Sequence, residues 1–487
     1  MESLVSTRKD SWLSWFLRGL LFLGFLFLLG RLVELQIIKG NYFRALADDN
    51  RIKRIPIYAT RGRILARGGE VLEGKFFAHA GGYVAEVNQE EVGKTDPQCP
   101  DKGPRQAGSL AGRSGLQAYY DCLLRGVDGE ELVEVDTMGK AIRTLGVRKP
   151  VSGIDLKTTI SLNLQKKVGE LLDKPGAVVI SDPKGEILAI YSSPSFDPSN
   201  VGKSLNDPTL PLFNRAITGV YHPGSIFKIV TSVAVLEDKK ITPGFVYDDP
   251  GVIKVNDFSY SNWYFSQYGK LEGAIDLPRA IARSTDTLFY KLGELEGATA
   301  LASWADKFGL GKKTGIDLPG ESTGLVPTPD WKERVKGESW FLGNTYHMAI
   351  GQGDLTATPL QMNMVTSVIA NQGKLCTPHI IEGLGGCMDL NIEKPTIDLV
   401  REGMMGACSS GGTAPSFFDF VPQVACKTGT AETNEIDKTH AWFSVFTPVA
   451  DPQIVITVLV EKGGEGSQVA APIAKEILKY WLLMNNP

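Results

Sequence analysis

The chain has 487 residues, 43% hydrophobic and 22% charged, which is an ordinary globular composition. Lys and Arg total 51 and Asp and Glu total 55, for a net charge of −4, which argues against the basic surface of a nucleic-acid-binding protein. Six cysteines without a Cys-x-x-Cys pair and five scattered histidines are typical neither of a disulfide scaffold nor of a zinc site, so we expect no metal and no cofactor.

An almost uninterrupted apolar run follows the N-terminal tail. Residues 12–30 contain one charge, Arg18, and about 20 apolar residues suffice to span a bilayer. A buried core helix is seldom apolar on all sides over this length, and a cleaved signal peptide has a shorter apolar run before a small-x-small cleavage site. The pattern predicts a cytoplasmic tail over 1–10 and one uncleaved transmembrane anchor over 11–38. Basic residues within 39–54 alone would favour a cytoplasmic C-terminal part.

A region of irregular composition follows the anchor, from 39 to about 155. Patches rich in Gly, Pro and Asp alternate with short β-prone runs at 54–58 and 132–135, without an internal repeat. We predict one mixed domain over 39–155.

The rest of the chain, 156–487, has the pattern of an α+β domain. Two β-prone runs separated by a tight turn, 177–180 and 186–190, precede a long middle segment. Three β-prone runs and an amphipathic helix follow it, at 424–428, 441–447, 454–461 and 471–483. We expect the five strands to form one antiparallel sheet, with the segment 200–420 as a mostly helical insertion.

One of three Ser-x-x-Lys sequences has the context of a catalytic pair. Ser225 and Lys228 follow Pro223-Gly224 and precede an apolar run, which predicts the start of a buried helix. Residues three apart on a helix share a face, and burial lowers the pKa of a lysine so that it can accept a serine proton. Alone, the pair is explained equally well by an incidental serine at a helix start. Ser6/Lys9 precedes the anchor and Ser181/Lys184 falls in the predicted hairpin turn.

Two further short motifs follow in the sequence. Ser284-Thr285-Asp286, taken alone, is explained equally well as a helix N-cap. Lys427-Thr428-Gly429-Thr430 follows a β-prone run, where a glycine can mark the close approach of another backbone or a ligand. The similar Lys313-Thr314-Gly315 lies in a Gly- and Pro-rich stretch and is interpreted as a loop. The order Ser-x-x-Lys, Ser-x-Asp, Lys-Thr-Gly is that of penicillin-binding proteins and serine β-lactamases.

With these motifs the chain resembles the class B penicillin-binding proteins, which are single-pass peptidoglycan D,D-transpeptidases. Among them it is most similar to the elongation (rod-shape) type, and the septal type stays open as the alternative. Further similar segments extend the resemblance over nearly the whole chain: 60–65, 112–117, 134–136, 182–189, 193–198, 221–225, 349–353 and 440–443. The resemblance implies a dimerisation-type pedestal over 39–155. It also implies a penicillin-binding/serine β-lactamase-like transpeptidase domain over 156–487.

The resemblance implies catalytic roles for four residues. Ser225 would attack the carbonyl between two D-Ala residues of a stem peptide, and Lys228 would accept its proton. Ser284, supported by Lys427, would pass a proton to the leaving D-Ala. An amine from a neighbouring stem peptide would then take the acyl group, whereas β-lactams would acylate Ser225 and deacylate slowly.

It also implies the groups that bind substrate. Asp286, where the family usually has Asn, would contact the substrate amide. Thr428, Gly429 and Thr430 would bind the terminal carboxylate, and the backbone N–H groups of Ser225 and Thr430 would form the oxyanion hole.

The expected partners and compartment follow from the same resemblance. No glycosyltransferase domain fits between residues 40 and 150, so polymerisation would fall to a RodA/FtsW-type membrane glycosyltransferase, alongside other elongation-complex proteins. Cross-linking outside the cytoplasmic (inner) membrane implies a periplasmic catalytic domain, against the local charge bias. That compartment permits disulfides, and we expect the pairs Cys376–Cys387 and Cys408–Cys426.

Three alternatives stay open at this point. A carboxypeptidase or β-lactamase would share the chemistry but lack the long pedestal. A non-catalytic scaffold could activate the glycosyltransferase, and a β-lactam sensor would require a signalling domain.

Overall fold

The computed structural model describes residues 12–136 and 138–485. The predicted tail over 1–10, with Ser6/Lys9, lies outside the described residues. The helix Trp12–Val33 continues through one π-helical turn, Glu34–Ile38, with its side chains exposed. Of the helices in the described part, this one is long and apolar enough to cross a membrane, as a single-pass anchor requires.

The helix Gly40–Arg51 leads from the anchor into a three-stranded antiparallel sheet, here called the pedestal sheet. Its strands, in spatial order, are Ile52–Ile57, Gly129–Val135 and Ala141–Arg148. Smaller elements fill the rest of the pedestal: the strand pair Val84–Glu86 with Leu110–Gly112, and the helices Ala78–Gly81, Gly115–Tyr119 and Asp121–Leu124. The parallel strand pair Ile64–Leu65 with Leu156–Lys157 connects the pedestal to the start of the C-terminal domain.

A five-stranded antiparallel sheet organises the C-terminal domain, as predicted. Its strands, in spatial order, are Ala425–Glu432, Thr439–Thr447, Ile454–Val460, Gly176–Ser181 and Ile187–Ser193. The strand Ala425–Glu432, here called the edge strand, continues four residues beyond its predicted end because its pairing with the next strand includes Gly429 opposite Trp442 and Thr430 opposite Ala441.

Helices cover both faces of this sheet, so its strands are buried on both sides and are almost continuously apolar. Because side chains alternate along a strand, Phe443 packs in one layer and its neighbour Trp442 in the other. The helices Leu162–Leu171 and Ala470–Asn485 form the first layer. The second is the predicted helical insertion: Lys228–Glu237, Trp263–Tyr268, Leu277–Arg283, Asp286–Glu296, Ala298–Lys307, Pro329–Lys336, Leu342–Ala349, Pro359–Ala370 and Lys394–Ala407.

Short strand pairs complete the insertion: Val246–Asp248 with Ala274–Asp276, Val252–Val255 with Phe258–Ser261, and Lys374–Cys376 with Cys387–Asp389. Lys313-Thr314-Gly315 lies outside any helix or strand, as predicted.

All six cysteines form disulfides. The predicted pairs Cys376–Cys387 and Cys408–Cys426 are confirmed. The structure adds a third bond, Cys99–Cys122, in the pedestal. Sequence spacing did not indicate this bond because its cysteines come together through the fold of a region without a periodic pattern.

Candidate functional site

Ser225 lies on a 3₁₀ turn, Gly224–Phe227, that leads directly into the buried helix Lys228–Glu237. The turn depends on two close backbone approaches. Gly224 has a positive φ of 55°, which only glycine adopts readily. Its N–H donates to the carbonyl oxygen of Gly351 at 2.9 Å, and a Cβ on Gly351 would lie 2.2 Å from the carbonyl oxygen of Gly224. The turn leaves Ser225 partly exposed, at the wall of a pocket.

Lys228 is completely buried below this turn. Its Nζ donates to Asp286 Oδ1 at 2.6 Å, to the Ser284 carbonyl oxygen at 2.9 Å and to Ser284 Oγ at 3.2 Å. No hydrogen bond joins it to Ser225 in the described structure. Burial lowers the pKa of Lys228, and the carboxylate of Asp286 opposes that shift.

Ser284 occupies a strained position between two helices, Leu277–Arg283 and Asp286–Glu296. Its φ of 56° is left-handed, which is uncommon for a residue with a Cβ and is found disproportionately at functional sites. Thr285, rather than Ser284, is the N-cap of the second helix. The geometry places Ser284 Oγ between the Nζ atoms of Lys228 and Lys427, at 3.2 and 2.9 Å.

Lys427 approaches Ser284 from the edge strand and is also completely buried. Burial lowers the pKa of Lys427 well below its usual value, and the nearby charge of Lys228 lowers it further, while Asp286 acts in the opposite direction. Two lysines therefore share one neighbouring carboxylate, so neutralising one amine relieves the repulsion between them.

Gly429 allows the edge strand to approach the Ser225 turn. A Cβ at this position would lie 2.9 Å from Cβ of Trp442, 3.3 Å from Cγ1 of Ile226 and 3.3 Å from the carbonyl oxygen of Pro223. This is the close backbone approach that the sequence predicts for this glycine. Thr428 and Thr430, which alternate with it, line the pocket.

The pocket has a volume of about 520 Å³ and brings together the predicted residues Ser225, Ser284, Asp286, Thr428 and Thr430 on its walls. Lys228 and Lys427 lie behind them as buried hydrogen-bond donors.

Two residues that line the pocket, Trp263 and Thr413, belong to none of the sequence motifs. Thr413 accepts a hydrogen bond from the Thr428 hydroxyl at 2.8 Å. The backbone N–H of Trp263 donates to Asp286 Oδ2 at 3.3 Å, and its indole N–H donates to the carbonyl oxygen of Arg283 at 2.8 Å. The glycine pair before Thr413 is the one local signal that could have pointed to this loop, whereas Trp263 has no motif.

Two family models match the chain. The penicillin binding protein transpeptidase domain matches residues 176–479, which is more than half of the chain, and the penicillin-binding protein dimerisation domain matches residues 70–158. The chain belongs to the penicillin-binding protein transpeptidase family. It is a class B member of the elongation type, as predicted.

Individual relatives agree with this assignment. The penicillin-binding protein is 34% identical to the peptidoglycan D,D-transpeptidase MrdA of Haemophilus influenzae, over 85% of this chain and 69% of that protein. Its structure matches the penicillin-binding protein PBP2 of Helicobacter pylori, solved with MreC, with a TM-score of 0.78, 26% identity and coverage of 89% and 99%. It also matches a chain of a peptidoglycan synthase complex that coordinates polymerization and crosslinking, with a TM-score of 0.76, 28% identity and coverage of 94% and 96%.

Proposed function

We propose that this penicillin-binding protein cross-links stem peptides through an acyl-enzyme on Ser225. The protein is a serine-type peptidoglycan D,D-transpeptidase by its family and relatives, and the roles of single residues are our proposal. The observation that carries it is the hydrogen-bonded series Lys228–Ser284–Lys427, which lies behind the pocket wall that holds Ser225.

In the first half-reaction, Ser225 Oγ attacks the carbonyl carbon between the two D-Ala residues and passes its proton to neutral Lys228. Ser284 Oγ, hydrogen-bonded to both Lys228 and Lys427, relays a proton to the leaving nitrogen. The C–N bond breaks, D-Ala leaves, and the acyl group remains as an ester on Ser225.

In the second half-reaction, an amine of a neighbouring stem peptide attacks this ester. A new amide bond forms, and Ser225 Oγ recovers a proton from the incoming amine through the same relay. A β-lactam forms the corresponding ester when its ring opens.

The backbone N–H groups of Ser225 and Thr430 are the proposed oxyanion hole. In other enzymes one such donor contributes about 2.7–4 kcal/mol to transition-state stabilisation. The hydroxyls of Thr428 and Thr430 face the same pocket and would bind the terminal carboxylate, with the backbone of Gly429 between them. The Thr428 hydroxyl is oriented by Thr413.

In the resting site the carboxylate of Asp286 accepts a hydrogen bond from Lys228. A substrate amide would therefore compete with Lys228 for this carboxylate. We propose that substrate binding engages Asp286, which frees Lys228 to become the neutral base. In this proposal the residue that binds the substrate amide and the residue that acts as base are hydrogen-bonded to each other in the resting site.

We propose that the anchor lies in the cytoplasmic (inner) membrane and that the residues after it lie in the periplasm. Three disulfides in one chain support this orientation, because disulfides are rare in reducing cytosol. The division into an anchor over 11–38, a pedestal over 39–155 and a transpeptidase domain over 156–487 is part of the same proposal.

A RodA/FtsW-type glycosyltransferase is the proposed membrane partner, together with an MreC-type elongation protein. The pedestal sheet follows the anchor after one helix and exposes apolar side chains on both of its outer strands: Ile52, Ile55, Ile142, Leu145 and Val147. Exposed apolar clusters of this kind mark interaction surfaces. The Helicobacter pylori structure with MreC and the synthase complex are relatives that assemble with partners.

The nucleophile assignment is tested by labelling the detergent-solubilised full chain with a fluorescent penicillin. Ser225→Ala should abolish covalent labelling and stem-peptide cross-linking while leaving the melting temperature nearly unchanged. Ser266→Ala, which changes another serine of the same pocket, should retain labelling. Persistent labelling of the folded Ser225→Ala variant would refute the assignment. A folded, unlabelled wild type would favour the scaffold.

A further inference from the structure

We propose a second site, for a divalent cation, between the carboxylates of Asp238 and Glu296. The two residues line a separate pocket of about 440 Å³, with Thr299, Ser303 and Trp304 also on its walls. The site does not depend on the proposed catalytic roles. The sequence gives no metal-ligand spacing here, because the two carboxylates come together only through helix packing.

Glu296 is the observation that points to a ligand. Its side chain lines the pocket although the residue is only 6% exposed, and neither carboxylate oxygen accepts from a donor group among the described residues. The group within hydrogen-bonding reach is the carboxyl of Asp238, so the two acidic groups face each other with only a proton or a cation able to join them. A buried carboxylate without a partner is costly unless it is protonated or coordinates a cation. Asp238 lies at the exposed rim of the same pocket, with Oδ1 accepting from the Trp304 indole N–H at 3.2 Å.

The surroundings favour a cation over an anion. Burial raises the pKa of Glu296 to about 8, and the hydrogen bond and charge of Asp238 contribute to the rise. A bound cation would take the place of the proton that otherwise lies between the two carboxyl groups. Lys307 also lines the pocket, but its Nζ lies over the Trp304 ring, 3.7 Å from the centroid. It forms no ion pair with Glu296 in the described structure. Carboxylate and hydroxyl oxygens are the ligands that Ca²⁺ and Mg²⁺ prefer.

The site joins the far ends of the two helices that carry the resting catalytic ion pair. Lys228 begins one helix and Asp238 follows its last residue, whereas Asp286 begins the other and Glu296 ends it. The two helices pack against each other. The C-terminal end of a helix carries partial negative charge, which disfavours a carboxylate and favours a cation. A bound cation would therefore hold these ends together and help to fix the separation of Lys228 and Asp286.

Terbium luminescence tests this site directly, because Tb³⁺ replaces Ca²⁺ and is excited by a nearby indole such as Trp304. Metal-free full chain titrated with Tb³⁺ should give saturable emission that Ca²⁺ displaces in the range of about 10⁻⁴–10⁻³ M, as for extracellular calcium modules. Glu296→Gln and Asp238→Asn should each weaken this binding at least about tenfold, since each removes a ligand charge. Asp330→Asn, which changes an exposed carboxylate beside Trp331, should leave it unchanged.

Thermal unfolding distinguishes a bound cation from a proton shared by the carboxyl groups of Asp238 and Glu296. Ca²⁺ should raise the melting temperature of the wild type and not that of Glu296→Gln, which should fold because glutamine keeps the shape and removes the buried charge. Emission equal in the wild type and Glu296→Gln would overturn the proposal. So would a wild-type melting temperature that follows pH but not Ca²⁺, because the two carboxyl groups would then share a proton.

Discussion

At the scale of single residues, Asp286 is the charged group that contacts Lys228 directly. Its carboxylate accepts from Lys228 Nζ at 2.6 Å. It stabilises the charged form of Lys228, whereas the proposed mechanism requires the neutral form to accept the proton of Ser225. Burial acts in the opposite direction and is the larger effect on the pKa of Lys228. Burial and Asp286 together therefore determine how much of Lys228 is neutral at a given pH.

Asp286→Asn should move the acidic limb of the pH–rate profile for acylation to lower pH. Removing the carboxylate lowers the pKa of Lys228 further, so the neutral base persists at lower pH. An opposite charge at this distance shifts a pKa by about 1–3 units, and a displacement of at least about one pH unit is expected. Stopped-flow acylation by a chromogenic β-lactam across pH measures it.

Asp257→Asn is the control for this change, because Asp257 is an exposed carboxylate in a hairpin turn. Its profile should match that of the wild type. An unchanged limb in Asp286→Asn, or a move to higher pH, would contradict the role given to Asp286.

At the scale of elements, the edge strand and the Ser225 turn form one unit. The strand brings Lys427 to Ser284 and presents Thr428 and Thr430 to the pocket. The disulfide Cys408–Cys426 links the residue before Lys427 to the end of the helix that precedes the Thr413 loop. The disulfide therefore joins the two segments that flank the proposed carboxylate subsite, and Gly429 sets how closely the edge strand approaches Ser225.

Gly429→Ala should slow acylation on the order of 10²-fold, the loss that a misplacement of about 1 Å can cause. The added methyl would lie 2.9 Å from Cβ of Trp442 in the neighbouring strand and 3.3 Å from Ile226 and the Pro223 carbonyl oxygen in the turn, so the edge strand must shift relative to both. Overpacking should cost about 1–3 kcal/mol in stability. Acylation kinetics and denaturant unfolding measure the two effects.

Gly146→Ala is the matched control in another strand, since a Cβ at Gly146 meets nothing within 4 Å. It should leave both acylation and stability close to wild type. Normal acylation by Gly429→Ala would show that the strand need not approach the turn so closely.

The sequence predicted those elements of the fold whose signals are local. Apolar runs with turn residues between them gave all five strands of the sheet, and Ser225 and Lys228 could be placed because a helix fixes residues three apart. The hydrogen bonds that join Lys228, Ser284 and Lys427 could not be read from spacing, because they depend on packing between a helix, a helix junction and a strand. Trp263 and Thr413 were missed for the same reason.

At the scale of the whole molecule, the N-terminal apolar helix and the disulfides both bear on the compartment in which the chain folds. The apolar helix Trp12–Ile38 is long enough to cross a membrane once. One disulfide lies in the pedestal and two lie in the C-terminal domain, and each stabilises the domain that contains it. Closing a loop of about 15 residues by a disulfide contributes about 3 kcal/mol in the chain-entropy model. Disulfides of this kind agree with the proposed compartment on the oxidising side of the membrane.

Full chain isolated from its membrane without reductant should contain no reactive thiol under denaturing conditions, and six after reduction. Mass spectrometry of unreduced peptides should link Cys99 to Cys122, besides the two pairs predicted from sequence. Thiols that react before reduction, or other pairings, would contradict both the disulfide pattern and the proposed compartment.

The identity of the nucleophile is the central claim for the whole protein. The most direct measurement is the intact mass of the full chain after incubation with a penicillin, followed by peptide mass mapping. We predict a stable adduct of one penicillin per chain, on the peptide that contains Ser225. An adduct on another residue, or rapid hydrolysis of the penicillin without an adduct, would contradict the proposed transpeptidase mechanism.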